Sequence, residues 1–169
     1  IEGLALTYAS QFKAIAITGA RQVGKTSLCR HLFADKAYVN FENADIQLYA
    51  NTDPRSFLDN YTAQGAIFDE IHRVPQIMNY LQEILDNQQE RGKFVFTGSS
   101  NLLLNQRITQ SLAGRVGYLD MYSFAMNEMP DIEQKDLDTL LFAGGYPDVS
   151  IGNISPENYF PSYVQSFVE

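Results

Sequence analysis

Eight consecutive residues near the start of the chain have the spacing to bind a phosphate: Gly-Ala-Arg-Gln-Val-Gly-Lys-Thr at 19–26. They match G-x-x-x-x-G-K-[ST], in which glycines allow backbone N–H groups to converge on a phosphate.

In such a loop the ammonium of Lys25 reaches the β- and γ-phosphates, and the hydroxyl of Thr26 holds Mg²⁺. The alternative is a glycine-rich turn before a lysine. The predicted binding residues are Gly19, Ala20, Arg21, Gln22, Val23, Gly24, Lys25, Thr26 and Ser27.

The segments on either side of this loop provide the context that the motif requires. Residues 13–18, KAIAIT, are predicted to form a strand, and a helix is predicted at about 25–34. The positive end of that helix adds to the anion site. Arg21 either contacts phosphate or nucleotide, or faces solvent as an ordinary loop residue.

A second apolar run, Ala66-Ile67-Phe68, ends in the carboxylates of Asp69 and Glu70. This pattern is typical of the magnesium-binding partner of a phosphate loop, because carboxylate oxygens suit Mg²⁺. Asp69 is predicted to bind the metal shell, and Glu70 to polarise the attacking water as a general base. The alternative is that the two residues cap the next helix, near Val74.

Residues 93–97, KFVFT, predict a strand that ends in Thr97-Gly98-Ser99-Ser100-Asn101. A small polar side chain at this end could hydrogen-bond the γ-phosphate or the attacking water. Ser99 or Ser100 is the first choice for this sensor, with Thr97 and Asn101 behind. The alternative is that Ser100 or Asn101 caps the following helix.

Two arginines and one histidine complete the candidate residues. Arg115, in Leu-Ala-Gly-Arg, could reach the γ-phosphate of a neighbouring subunit, and a surface or salt-bridge role competes with that prediction. Arg107 is expected in mid-helix, where it could simply be solvated. His72 is predicted to pack at a helix start or couple to Glu70, and not to bind a metal.

Composition limits the possible partners and compartment. The 169 residues carry 12 Lys and Arg against 20 Asp and Glu, a net charge of −8, which does not support a general electrostatic grip on nucleic acid. The single cysteine, Cys29, excludes an internal disulfide, fits a reducing cytoplasm, and is predicted to be a buried small hydrophobe. No apolar run has the length of a membrane span.

Short strands alternate with helices, which predicts a parallel sheet covered on both faces. Ligands of such sheets lie beyond the carboxyl ends of the strands. The predicted strands are 13–18, 37–42, 65–69, 93–97 and 115–122, and the predicted helices are 4–12, 25–34, 54–64, 74–89 and 101–112.

The pattern changes after Ser123. Helices are predicted at 126–130, 133–142 and from 155 onward, with the breaker Gly-Gly-Tyr-Pro at 144–147 between them. The predicted domains are an ATPase-type core, 1–129, and a partial helical lid or linker, 130–169. Because the chain begins with Ile1 and stops at Glu169 in an apolar-periodic stretch, a longer protein is expected.

Five segments taken together resemble one family, the prokaryotic AAA-type ATPases that carry a C-terminal domain of unknown function, DUF4143. The segments are TGARQVGKTS at 18–27, FDEIHRVP at 68–75, TGSS at 97–100, SLAGRV at 111–116 and GGYP at 144–147. The resemblance covers nearly the whole chain, and its last two segments are more specific than the phosphate loop.

The resemblance implies a P-loop three-layer α/β/α sandwich whose five-stranded parallel sheet has the order 5-1-4-3-2. It implies ATP and Mg²⁺ as ligands, Glu70 as the catalytic carboxylate and a polar sensor at the end of strand four. It also implies a further C-terminal domain beyond the helix at 159–169. A homo-oligomer or protein partner is possible, and nucleic acid is expected only through other domains.

Two other functions remain open. Asp-Glu-Ile-His at 69–72 and Thr-Gly-Ser-Ser at 97–100 suggest a helicase-type motor domain, whereas the acidic charge and the GGYP segment argue against it. A nucleotide-dependent interaction module that does not hydrolyse ATP is the third possibility. A small-molecule kinase is a weaker option, and no Asn-Lys-x-Asp motif indicates a GTPase.

Overall fold

The computed structural model describes residues 1–99, 112–130, 136–152 and 154–167. These residues form two compact units, one of residues 1–19 and 25–121 and one of residues 20–24 and 122–169. The predicted division between 1–129 and 130–169 stays a prediction. None of the helices in the described ranges is both long enough and apolar enough to cross a bilayer.

The first unit is built on a five-stranded parallel sheet, and its observed order, β2-β3-β4-β1-β5, is the predicted order read from the other edge. The prediction of a P-loop α/β fold is therefore confirmed. Strand β1 hydrogen-bonds the central strand β4 on one side and the edge strand β5 on the other. The strands are β1 (Ala14–Gly19), β2 (Ala37–Asn40), β3 (Ala66–Asp69), β4 (Phe94–Ser99) and β5 (Val116–Met121).

Apolar side chains cover both faces of this sheet, because successive residues of a strand point to opposite sides. On one face Phe68, Phe94 and Phe96 pack in a cluster that includes Leu81. On the other face Ile67 packs in a cluster of apolar residues that also includes Ile15, Ile17, Val95, Leu28 and Cys29. Cys29 is fully buried, so the prediction that it is a small core hydrophobe is confirmed.

Five α-helices accompany the sheet in the described part of the first unit: α1 (Glu2–Gln11), α2 (Lys25–Leu32), α3 (Ala44–Thr52), α4 (Pro54–Asp59) and α5 (Ile77–Asn87). The helix predicted at 54–64 ends at Asp59, and the one predicted at 74–89 begins at Ile77, after a 3₁₀ turn at Ile71–Arg73. The helix predicted at 101–112 lies almost entirely outside the described residues.

Helix α3 was not predicted. It buries only Ala50, so its apolar periodicity is weak in the sequence. Its start is instead stabilised locally, because the side chain of Asn43 accepts hydrogen bonds from the N–H groups of Asp45 and Ile46, at 2.9 and 3.2 Å. Asn43 is therefore the N-cap of this helix.

The second unit contains a 3₁₀ turn at Met126–Glu128 and the helices α6 (Leu137–Ala143), α7 (Pro147–Ser150) and α8 (Pro156–Phe167). The breaker at 144–147 has a clear role here. Gly144 has a φ of +62°, and a Cβ on Gly145 would lie 2.3 Å from the carbonyl oxygen of Phe124. These glycines turn the chain so that the ring of Tyr146 packs against Tyr159 and Tyr163 of α8, with ring centroids 5.5 and 5.1 Å away.

Candidate functional site

The predicted phosphate-binding residues lie between the end of β1 and the first turn of α2. Gly19 is the last residue of β1, residues 20–24 connect it to α2, and Lys25 to Ser27 open that helix. Within the connection, Gln22 has a φ of +61° and Gly24 a φ of +97°. Left-handed residues of this kind are typical of backbone nests that bind anions.

Lys25 lies in the first turn of α2 with its side chain almost fully enclosed, since the residue is only 7% exposed. Its Nζ donates a hydrogen bond to the carbonyl oxygen of Gly19 at 3.0 Å. A buried ammonium is costly unless it is paired or hydrogen-bonded. This hydrogen bond connects the two ends of the loop, and it places the ammonium group where the motif requires a positive charge.

Thr26 and Asp69 meet across the carboxyl edge of the sheet. The Oγ1 of Thr26 lies 2.9 Å from Oδ2 and 3.1 Å from Oδ1 of Asp69, the last residue of β3. A hydroxyl and a carboxylate are hard oxygen ligands, and Mg²⁺ is usually held by one or two carboxylates together with substrate phosphates. The donors present therefore fit a magnesium ion, and the two predicted metal ligands are brought together.

Two further hydroxyls hold the carboxylate of Asp69. The Oγ1 of Thr97, in β4, donates a hydrogen bond to Oδ1, and the hydroxyl of Tyr38, in β2, donates to Oδ2 at 2.6 Å. Burial, followed by the hydrogen bond to Asp69, raises the pKa of Tyr38 well above its usual range. In the sequence analysis Thr97 is a sensor candidate behind Ser99 and Ser100. Tyr38 was not predicted as a site residue, because its strand carries no recognised nucleotide-binding motif.

Glu70 follows Asp69 in a left-handed conformation, with φ 55° and ψ 45°. Such strain in a residue other than glycine costs on the order of 1 kcal/mol and is concentrated at functional sites. The N–H of Glu70 donates to Thr97 Oγ1 at 3.2 Å, and His72 Nδ1 lies 3.1 Å from Glu70 Oε2. The predicted coupling of His72 to Glu70 is therefore present, and the side chain of Glu70 does not cap the following 3₁₀ turn.

The sensor predictions are only partly described. The backbone of Ser99 pairs with Gly19 at the end of β4, so it lies at the correct edge of the sheet. The side chain of Ser99, and all of Ser100, Asn101 and Arg107, lie outside the described residues. Thr97 is the polar residue of this strand that is seen to connect Asp69 with Glu70.

Arg115 lies just before β5, at the amino-terminal edge of the sheet, whereas Asp69 and Gly19 end their strands at the carboxyl edge. Its Nη2 is 2.9 Å from Oδ2 of Asp86. This pair lowers the pKa of Asp86 and raises that of Arg115. The salt-bridge role is thus present, and a role toward a neighbouring subunit stays a prediction.

A family model described as an AAA domain matches residues 11–130. The chain therefore belongs to this family of AAA domains, and the site is that of a nucleotide-binding, ATPase-like P-loop domain. The matched region includes the loop at 19–26, Asp69 and Thr97.

Solved structures show the same fold. A Walker-type ATPase of Pyrococcus abyssi superposes with a TM-score of 0.60 at 15% identity, covering 98% of this chain and 70% of its own. A point variant of RuvB from Thermotoga maritima gives 0.50 at 17% identity, covering 78% of this chain and 46% of its own.

Curated relatives are longer. Uncharacterized proteins of Mycobacterium bovis and Mycobacterium tuberculosis are each 25% identical over 158 residues, or 92% of this chain. The chain spans 35% of the length of each of these relatives.

Proposed function

We propose that the chain binds ATP with Mg²⁺ and hydrolyses it, and that the energy serves an attached or partner domain. The observation that carries the proposal is the contact of Thr26 with Asp69, 2.9 Å between oxygens that come from separate elements. Lys25 lies next to Thr26 at the start of α2, so a phosphate-binding cation adjoins the metal-binding oxygens. The family match supports ATP as the ligand.

Each residue has a role in this proposal. Lys25 binds the β- and γ-phosphates, while Thr26 and Asp69 hold Mg²⁺, which neutralises phosphate charge when it is bound. Glu70 takes the proton of the attacking water. His72 Nδ1, 3.1 Å from Glu70 Oε2, orients that carboxylate, and Thr97 fixes the backbone before it. Ser99 or Ser100 contacts the γ-phosphate, and Arg115 acts toward a neighbouring subunit.

The wider context is part of the same proposal. The relatives of greater length support a further domain outside this chain, through which protein or nucleic acid would be engaged. The single buried thiol supports a reducing compartment, the cytoplasm. Residues 130–169 form part of a helical lid or linker in this proposal.

The binding step is tested by Lys25→Ala, with ATP affinity measured by calorimetry in the presence of Mg²⁺. Loss of a charged hydrogen-bond donor should weaken binding by about tenfold or more. Lys36→Ala is the matched control, because Lys36 lies after α2 and pairs with Asp35 at 4.0 Å. Equal affinity of Lys25→Ala and the parent for Mg-ATP would show that the site is assigned wrongly.

The hydrolytic step is tested by Glu70→Gln, which keeps the side-chain shape and removes the general base. Turnover should fall by about 100-fold or more while ATP binding remains. Glu83→Gln is the control, since Glu83 is an exposed residue of α5 that pairs with Arg55. Unchanged turnover in Glu70→Gln would favour a nucleotide-dependent interaction module.

One contact in the second unit favours a nucleotide-dependent interaction module as a second candidate function. The hydroxyl of Tyr159, in α8, donates to Oε1 of Gln22, in the phosphate loop, at 2.8 Å. Because Tyr159 is 6% exposed, the bond joins the loop to a buried side chain of α8. Binding of a phosphate to the loop would therefore change the hydrogen exchange of α8.

Hydrogen exchange of α8, measured with and without Mg-ATP, tests this coupling. The parent should show a nucleotide-dependent change, and Tyr159→Phe should lose most of it while keeping the ring. Tyr122→Phe, at a residue that is 79% exposed, is the control and should behave as the parent does. An α8 that exchanges identically in both states of the parent would exclude the coupling.

A further inference from the structure

We infer that Tyr38 is a positioning residue for the magnesium site, because its hydroxyl holds one oxygen of the Asp69 carboxylate from the neighbouring strand. The inference rests on the proposed function, since it concerns the metal that accompanies ATP. It assigns a role to β2, a strand that carries no recognised nucleotide-binding motif.

The register of the sheet explains why a tyrosine is needed at this position. In the parallel pair β2–β3, Asn40 lies opposite Asp69 and Tyr38 lies opposite Ile67. Residues two apart on a strand face the same side, separated by about 6.6 Å. The long phenol side chain spans this step, and its hydroxyl reaches Oδ2 of Asp69 at 2.6 Å.

The carboxylate is held on both oxygens by different strands. Tyr38 donates to Oδ2 from β2, whereas Thr97 donates to Oδ1 from β4. Together these bonds set the rotation of the carboxylate about its Cβ–Cγ bond, with Thr26 within 3.1 Å of either oxygen. Partners of this kind, one step removed from the metal, orient its ligands.

The tyrosine ring is itself fixed from the helix side. The guanidinium carbon of Arg30, in α2, lies 5.0 Å from the centroid of the Tyr38 ring, within the range of a cation–π contact. Helix α2 also carries Thr26, so both ends of this arrangement belong to one rigid element.

The test is Tyr38→Phe, which removes the hydroxyl and leaves the ring beneath Arg30. A fluorescent ATP analogue reports nucleotide binding while Mg²⁺ is titrated, and the half-saturating Mg²⁺ concentration is the measured quantity. We expect it to rise by about tenfold. Binding of the analogue without Mg²⁺ should not change. Arg30→Gln should give a smaller shift in the same direction, because it loosens the ring only.

Tyr80→Phe is the matched control, because the Tyr80 ring also lies beneath an arginine, Arg55 at 5.8 Å, but Tyr80 belongs to α5. Its Mg²⁺ midpoint should equal that of the parent. A parental midpoint in Tyr38→Phe overturns the inference and leaves the proposed function intact. Equal weakening with and without Mg²⁺ also overturns it, because a general structural role would do that. A parent that binds without any Mg²⁺ dependence contradicts both the inference and the proposed function.

Discussion

Gly19 and Met121 are packed so closely that a Cβ on Gly19 would lie 2.0 Å from the carbonyl oxygen of Met121. The two residues pair in the β1–β5 ladder, and Gly19 has a φ of +147°. The packing of the sheet therefore requires a glycine at the first position of the phosphate loop.

Gly19→Ala should lower the free energy of unfolding by about 1–3 kcal/mol, as overpacking of a rigid backbone typically does. Urea unfolding monitored by circular dichroism measures the change. Gly3→Ala is the control, because a Cβ on Gly3 meets nothing within 4 Å and the residue lies in α1. It should be neutral or stabilise by up to about 1 kcal/mol. Equal stability of Gly19→Ala and the parent would contradict the packing described.

Cys29 should make stability fall as the pH rises above about 9. Burial, then the negative charge of Asp69, raises the pKa of its thiol to about 12 in the folded chain. The unfolded thiol has its ordinary pKa of about 8.5, so unfolding releases a proton in the interval between the two values. The contribution of the protonated Cys29 thiol to the free energy of unfolding is therefore complete below the pKa of the unfolded state. It is lost as the pH rises toward the pKa of the folded state, by up to about 1.4 kcal/mol per pH unit.

Urea unfolding of the parent and of Cys29→Ala at pH 8 to 10 isolates this effect. The parent should lose more stability than the variant over the interval. Labelling by a thiol reagent at pH 8 is the accompanying measurement, and it should require unfolding because the residue is fully buried. Parallel pH profiles of the two proteins would contradict the raised pKa.

Arg115→Ala should leave ATP affinity unchanged, because Arg115 pairs with Asp86 at the sheet edge opposite Gly19 and Asp69. Calorimetry measures this. If Arg115 acts on a neighbouring subunit, a mixture with Lys25→Ala should regain hydrolysis, because each variant supplies the part that the other lacks. Asp86→Asn serves as the control for loss of the salt bridge alone. A mixture that stays inactive while the parent hydrolyses ATP would leave Arg115 with its structural role.

Asn43→Ala should destabilise the chain by about 1 kcal/mol, since it removes the cap that accepts from Asp45 N and Ile46 N. ATP affinity should be unaffected. Asn51→Ala, at an exposed position in the last turn of α3, is the control and should be neutral within about 0.5 kcal/mol. Thermal unfolding measures both, and equal melting temperatures would contradict the cap.

Much of the fold could be predicted because strong local signals agreed with it. The runs that became β1, β3 and β4 are short, apolar and bounded by polar residues. The sheet order followed from a family resemblance rather than from periodicity. Helix α3 was missed because its single buried residue gives no apolar period, while the 54–64 prediction was too long because its last five residues form a turn.

The order of residues alone determined the phosphate loop and the acid that faces it. Both motifs can be recognised from the sequence because each consists of adjacent residues: a glycine-rich turn that follows one strand, and a carboxylate at the end of another. Only the tertiary structure decided that Tyr38 and Thr97 hold Asp69, and that Arg115 binds Asp86. These contacts depend on which strands are neighbours and in what register, so residues far apart in sequence meet only after the sheet has assembled.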